Sequence, residues 1–513
     1  MYPGTHAQST PDKPAIIMAD TGDTVTYREL DTRSLRFARH LYDQGVRAGE
    51  HVAILTDNQP RALEIYWAAM RSGLYITFIN SQLSADEVAY IVNDCGAQTL
   101  VLAQRYAEIA PAVVAQAPRV ERRVALADPD GTGGIDGFED YEALIAAASS
   151  EPLPAQPCGV DMLYSSGTTG FPKGIKVPLP DRAVDEPGDA VTALFGPAIG
   201  LDAESVYLSP APVYHAAPLR FMGMAHRMGA TVVMMRKFDA EDALRQIERY
   251  RATHSQWVPT MFVRMLKLDA SVRDAYDVSS LRSAVHAAAP CPVDVKRAMI
   301  DWWGPVLLEY YSATEMNGVT MIDSDQWLDR PGSVGQSRLG VVRICDDEGR
   351  ELAPGEIGTV YFERDTAPFE YHNDPGRTAD TRHPEHPNWT TNGDIGYLDE
   401  DGFLFLTDRK SFTIISGGVN IYPQEIENAL ALHPSVFDVA VIGVPDAEMG
   451  ESVVAVVHPV EGAEPDLAAA LDAFLRERIA HYKLPRRYEF DTDLPRTPTG
   501  KLVKGRLRDR YRS

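Results

Sequence analysis

Residues 161–174 read Asp-Met-Leu-Tyr-Ser-Ser-Gly-Thr-Thr-Gly-Phe-Pro-Lys-Gly. Met162, Leu163 and Tyr164 are expected as a short buried strand. Ser165, Ser166, Thr168 and Thr169 follow, interleaved with Gly167 and Gly170 and closed by Pro172, Lys173 and Gly174. Glycines let backbone approach a bulky anion, and successive N–H groups in such turns form an anion-binding concavity. The hydroxyls add donors and Lys173 adds a positive charge, so the expected guest is a polyphosphate. The stretch is not a Walker A loop, because Gly174 stands where the magnesium-binding hydroxyl would be and Ile175–Pro178 reads as a second strand. A metal-binding carboxylate is therefore expected from elsewhere in the chain.

Outward from this loop the chain alternates strand and helix signals. Ala15–Met18 and Thr24–Thr26 flank a Gly22-Asp23 turn. Thr26 with Glu29 makes a capping box ahead of a helix ending near Gly45. His51–Leu55, Tyr75–Ile79 and Thr99–Ala103 read as strands, and Arg61–Arg71 and the segment capped by Ser84 and Glu87 as helices. This alternation predicts a parallel sheet covered by helices. Residues 128–160 read as a surface connection and residues 178–203, rich in Pro, Asp and Gly, as a mobile flap. Strand–helix alternation resumes from Ser205 to Tyr310, a second α/β unit. Residues 333–406 read as short strands in a small barrel or antiparallel sheet. A compact α+β segment follows Arg409, with Pro423 suited to the first position of a helix.

At 513 residues the chain exceeds one core. Its net charge of -24 argues against general affinity for nucleic acid or anionic membrane. Cys95, Cys158, Cys291 and Cys345 are too dispersed for a metal motif or a disulfide framework. With no secretory signal, no spanning stretch and no peroxisomal tripeptide at Tyr511-Arg512-Ser513, a cytoplasmic location is expected.

Four further segments carry chemistry: Tyr310–Glu315, Thr391–Asp394, Asp408-Arg409 leading into Ser416–Pro423, and Pro495–Lys501. Singly, each has a plainer explanation: Thr314-Glu315 as a helix start, Asp394 as a turn cap, Lys501 as a solvated tail. Their order and spacing together resemble the AMP-forming acyl-CoA ligases, the adenylate-forming superfamily that includes peptide-synthetase adenylation domains and firefly luciferase. The resemblance runs from about residue 10 to about residue 508, and the stretch Leu281–Pro305, with Val285–Pro292 and Trp302–Pro305, is similar to actinobacterial fatty-acyl-CoA ligases.

The resemblance implies an α/β fold with a large N-terminal domain, 1–408, of two α/β subdomains and a small β-barrel. A hinge at 409–411 and a smaller mobile C-terminal α+β domain, 412–513, complete it. It implies that Thr168, Thr169 and Lys173 hold the β- and γ-phosphates of ATP, and that Ala288, Ala289 and Pro290 with Tyr311 frame the adenine. Thr314 would contact the α-phosphate, Glu315 would bind Mg2+, and Asp394 and Arg409 would grip the ribose. His215 would lie on the carboxylate side of the acyl pocket, Gly417 and Gly418 beside the tunnel for coenzyme A, Ser411 at the hinge, and Lys501 at the adenylation centre. Three departures from the pattern stand out: Ser411, where Asp or Lys is usual, Ser312, where glycine is usual, and the run Ala287–Ala289, where glycines are common.

The implied reaction joins a carboxylic acid to CoA through an acyl-AMP intermediate, releasing AMP and pyrophosphate. Small residues and flexible methionines (Ala216, Ala217, Met222, Met224, Ala287, Gly318) point to a roomy apolar pocket. The expected acid is a medium- or long-chain fatty acid or a bulky alicyclic acid such as a steroid side-chain carboxylate. Aryl-CoA ligation and delivery of acyl-AMP to a carrier protein are the alternatives; the chain ends soon after Lys501, leaving no room for a carrier domain of its own. A non-catalytic nucleotide- or acyl-binding protein is opposed by the joint presence of Lys173, Glu315, Asp394 and Lys501. The sequence is compatible with a homo-oligomer without selecting one.

Overall fold

The computed structural model describes residues 1–128, 133–165, 172–409, 412–416, 419–446, 449–463, 465–495, 502 and 504–511; of 408, 409 and 420 it describes the backbone alone. These residues fall into two compact units. One comprises Met1–Trp257, Lys267–Val285 and Pro368–Thr378, the other Val258–Leu266, His286–Ala367 and Ala379–Ser513.

The first unit contains the expected parallel sheet, with a correction to its membership. Its six strands run in the order Glu139–Asp140, Arg122–Leu126, Thr99–Ala103, His51–Leu55, Tyr75–Phe78, Val160–Asp161, all parallel. The central strands are buried on both faces, hence their near-continuous apolar sequence. The strand Pro14–Met18 does not join them. It pairs in parallel with Thr231–Met234, placing Ile16 opposite Val232, in a sheet that also holds Val206–Ser209 and His254–Trp257. Short-range alternation of strand and helix does not specify which sheet a strand enters, so the single sheet expected over 15–105 is divided between two.

Both capping boxes form. Thr26 Oγ1 accepts the Glu29 N–H at 3.2 Å, and the Glu29 carboxylate accepts the Thr26 N–H at 2.8 Å. Ser84 and Glu87 repeat the arrangement. The connection expected at 128–160 instead contains the helix Tyr141–Ala147, capped by Asp140, whose Tyr141 hydroxyl donates to the buried Glu64 at 2.9 Å. The flap expected at 178–203 contains the helix Ala190–Ile199, capped by Asp189, with Phe195 in the core. In both segments an Asp that reads as loop composition is an N-cap.

The second unit carries the antiparallel strands expected in 333–406. Their order is Val341–Cys345, Gly358–Glu363, Asp394–Leu398, Leu404–Arg409, Ser333–Leu339, Val319–Asp323, Leu307–Tyr311. Its C-terminal part pairs Val436–Asp446 with Gly450–Pro459 under the helices Pro423–Ala431 and Leu467–Arg476. Pro423 does open its helix, and a short strand, Ile414–Ser416, precedes it. No helix among the described residues is long and apolar enough to cross a membrane.

Candidate functional site

In the first unit, the strands Leu163–Ser165 and Lys173–Lys176 form an antiparallel pair that places Lys173 opposite Ser165. They stand at the two ends of the glycine-rich loop, whose residues Thr168 and Thr169 lie outside the described residues. Tyr164 is held by its hydroxyl, which donates to Asp94 at 2.6 Å. The Lys173 ammonium lies 5.0 Å from the centroid of Tyr371, on the third strand of this ribbon. A cation–π contact of this kind contributes about 0.5–1 kcal/mol at an exposed position and keeps the ammonium at the loop's exit. His215 precedes the helix Ala216–Met228, its ring 4.4 Å from that of Tyr214. Met222 and Met224 on this helix are fully buried.

In the second unit the structure brings Tyr311 to a hairpin that carries Asp394 and Arg409 on its two consecutive strands. Strand pairing sets the backbone of Asp394 directly opposite that of Arg409. The Tyr311 hydroxyl donates to Asp394 Oδ2 at 2.6 Å. Asp394 is positioned by the preceding turn, where the Thr391 hydroxyl accepts the Gly393 N–H at 3.0 Å and Gly393 has φ 77°. A left-handed residue there favours glycine.

Beyond Tyr311 the chain turns through Ser312–Gly318, and two details of that turn were hidden in the sequence. Ser312, where glycine is usual in the resembled family, donates its hydroxyl to the Gly318 carbonyl at 2.8 Å and closes the turn. Asn317 is buried; its amide donates to Thr390 O at 3.3 Å, and its Oδ1 accepts from Asn392 at 2.9 Å. Asn317 and Asn392 thereby tie the Thr314-Glu315 turn to the Thr390–Asp394 turn. A buried amide beside two glycine-containing turns was the available signal. Gly318 is obligatory on packing grounds, since a Cβ there would sit 1.8 Å from the Phe362 ring.

The segment Ala288–Pro290, expected beside the adenine, follows the strand Ser283–His286, with Ala288 at φ 76°. Met316, next to Glu315, has φ 51°. Non-glycine residues in this region cost on the order of 1–3 kcal/mol each and persist where their surroundings fix them. Glu315 is buried. Mg2+ takes oxygen ligands and keeps several waters, needing one or two carboxylates beside substrate phosphates. Glu315 offers such a donor, and the described residues hold no cluster of three or more His, Cys, Asp or Glu. This donor set fits an ion carried by a nucleotide.

Lys501, Ser411, Gly417, Gly418 and the Arg409 side chain lie outside what the structure describes. The helix just after Lys501, Lys504–Arg510, is well anchored. Lys504 Nζ pairs with the buried Glu427 at 2.8 Å and lies 5.2 Å from the Phe412 ring centroid. Arg508 pairs with Glu451 at 2.7 Å, and Glu451 also accepts the Ile415 N–H at 2.9 Å. Leu507 is fully buried.

The AMP-binding enzyme family model matches residues 4–367, and the model of the AMP-binding enzyme C-terminal domain matches residues 425–501. The chain belongs to this family, that of the adenylate-forming acyl-CoA ligases. It is 34% identical to the fatty acid–[acyl-carrier-protein] ligase ScoC of Streptomyces coeruleorubidus, over 99% of this chain and 95% of that protein. It is also 34% identical to a feruloyl-CoA synthase of an Amycolatopsis species, over 99% and 98%. The solved ATP-bound MatB of Rhodopseudomonas palustris superposes with a TM-score of 0.83 at 29% identity, covering all of this chain and 99% of that one.

Proposed function

We propose that the protein activates a hydrophobic carboxylic acid with ATP and transfers the acyl group to coenzyme A. The observation that carries this reading is the convergence in the second unit. Tyr311 bonds Asp394, Asp394 faces Arg409 across a strand pair, and the Thr314-Glu315 turn continues from Tyr311. A carboxylate beside an arginine suits a pair of ribose hydroxyls, and Tyr311 offers an aromatic face for adenine with Ala288, Ala289 and Pro290.

In the first half-reaction the acid's carboxylate attacks the α-phosphorus of ATP, giving acyl-AMP and releasing pyrophosphate. Two anions must meet, so catalysis requires positive charge placed where charge develops. Thr168, Thr169 and Lys173 hold the β- and γ-phosphates and Thr314 contacts the α-phosphate. Lys501 lies where carboxylate and α-phosphate join, favouring the transition state over the separated ground state. Glu315 would hold Mg2+ brought in with the nucleotide, which would supply further charge neutralisation. His215 borders the acid's carboxylate. In the second half-reaction the CoA thiolate attacks the acyl carbonyl and AMP leaves. The C-terminal domain turns at Ser411, withdrawing Lys501 and presenting Gly417 and Gly418 to the CoA arm.

A fatty acid of medium or long chain is the proposed substrate, supported by the fatty-acid ligase among the relatives. The feruloyl-CoA synthase supports an aryl acid as the second reading. ScoC names a carrier protein as its thiol, so CoA and a phosphopantetheinylated carrier are compared directly. The test is pyrophosphate release across acid chain lengths and ring systems with each thiol. Lys501→Ala is expected to lose about 10²–10³-fold in carboxylate-dependent pyrophosphate release while CoA attack on supplied acyl-AMP is retained. Equal loss of both half-reactions would remove Lys501 from this role.

A further inference from the structure

Beneath the turns read as nucleotide-facing, the second unit buries a charge pair. Lys296, on the helix Val293–Trp303, is fully buried, and its Nζ lies 2.6 Å from Glu309 Oε2. Glu309 lies on the strand Leu307–Tyr311, two residues before Tyr311, and is 5% exposed. The Lys296 ammonium also lies 4.9 Å from the Trp327 ring centroid. The same carboxylate oxygen is 3.7 Å from His286 Nε2. His286 is fully buried with its ring edge-on to Phe262 at 5.4 Å, and neither ring nitrogen has a hydrogen-bond partner among the described residues. Burial, and then the nearby Lys296, hold the imidazole well below its ordinary pKa, so it is neutral. Burial also raises the Glu309 carboxyl, against the pull of Lys296.

Three chain segments therefore meet at one carboxylate. Two of them run straight into segments assigned to the nucleotide: His286 into Ala288–Pro290, and Glu309 into Tyr311–Glu315. Both of those segments lead into or contain a residue held at positive φ, Ala288 in the first and Met316 just after the second. A buried ion pair is a poor source of stability, because desolvating two charges offsets their attraction, and apolar replacements of similar volume are often neutral or stabilising. Its contribution here is geometric.

We propose that Lys296 and Glu309, with His286 packed against the same carboxylate, are positioning residues that hold the two strained turns in the register needed to receive one ATP. This rests on the nucleotide reading of those turns.

The decisive variant is Lys296→Met/Glu309→Leu, which removes both charges and keeps the bulk. Its thermal midpoint is expected at or above that of the parent. Its Kd for MgATP, by intrinsic fluorescence titration, and its KM for ATP in pyrophosphate exchange are expected to rise about tenfold, with kcat changed much less. Parental ATP affinity in a folded double variant overturns the proposal. If the double variant does not fold, Glu309→Gln decides, with about a threefold rise in Kd expected at a retained thermal transition. Unchanged affinity, or loss of the thermal transition in both variants, returns the pair to a purely structural role. Asp394→Ala is measured alongside. If it binds ATP like the parent, the nucleotide reading itself fails; if it alone loses affinity, only the positioning role fails.

Discussion

Lys296–Glu309 and Lys504–Glu427 are the same chemistry in two places. Each joins a buried lysine to a buried glutamate, at 2.6 Å and 2.8 Å, and each lysine also faces an aromatic ring, Trp327 or Phe412. Their carboxylates are used differently. The Glu427 oxygen that pairs with Lys504 also accepts the Val441 N–H at 2.7 Å, so it is bonded into a core strand. The Glu309 oxygen that pairs with Lys296 has a neutral imidazole at 3.7 Å as its next neighbour. A carboxylate bonded to strand backbone replaces part of its lost hydration. One facing an unbonded ring does not, and its contribution is to place the turn after Tyr311.

The largest effect that would break this contrast is expected at Lys504. Lys504→Met leaves the Glu427 carboxylate buried without its cation, and is expected to cost about 3–5 kcal/mol. Hydrogen exchange along Val436–Asp446 and thermal melting of the full chain read it. A loss below about 1 kcal/mol would mean that the carboxylate's other contacts, the Val441 N–H among them, satisfy it without Lys504.

A second test sharpens the contrast through histidines. His226 is fully buried but bonded at both ring nitrogens: Nδ1 accepts from Trp67 Nε1 at 3.0 Å, and Nε2 lies 3.1 Å from Ala15 O. Burial lowers its pKa from 6.5 to about 4. The unfolded chain therefore takes up the proton first on acidification. Stability is full above about pH 6.5 and falls as pH drops toward 4, by about 3 kcal/mol for this residue. Urea titrations between pH 4.5 and 7 should show the slope, and His226→Gln should flatten it. A slope unchanged in that variant would assign the acid sensitivity elsewhere, with His286 next to be replaced.

Gly318→Ala should cost about 1–3 kcal/mol by overpacking against Phe362, with partial recovery in Gly318→Ala/Phe362→Leu. No recovery would locate the cost in the turn itself. The smallest effect is expected at Ala288→Gly. It relieves about 1–2 kcal/mol of left-handed strain and adds about 0.4–1 kcal/mol of unfolded-chain entropy, for a net gain of about 0–1.6 kcal/mol in chemical denaturation. A net loss would show that the Ala288 methyl is itself packed.

Much of the local structure was legible because its causes are local. The capping boxes at Thr26 and Ser84 and the helix opening at Pro423 formed as read, and a strand stands on each side of the glycine-rich loop, shifted by one or two residues to Leu163–Ser165 and Lys173–Lys176. Pairing was not legible. Ile16 meets Val232 through contacts that no window of sequence contains. The caps at Asp140 and Asp189 were hidden in loop-like composition, and with them two helices. On the site side, the proximity of Tyr311, Asp394 and the Arg409 backbone followed the motif order. Asn317, Ser312 and Lys296 carry no motif, and their roles exist only once distant strands are side by side. Lys501, Thr168 and Thr169 are assigned through the family pattern and await the half-reaction assay.

The pairing of Ile16 with Val232 also sets an order of events on the ribosome. At about 5–20 residues per second, the two-hundred-odd residues between these partners take roughly ten to forty seconds to emerge. For that interval Pro14–Met18, apolar and strand-prone, can pair only with the adjacent Thr24–Thr26, and its other edge stays open. That open edge is a site for mispairing until Thr231–Met234 arrives to cover it.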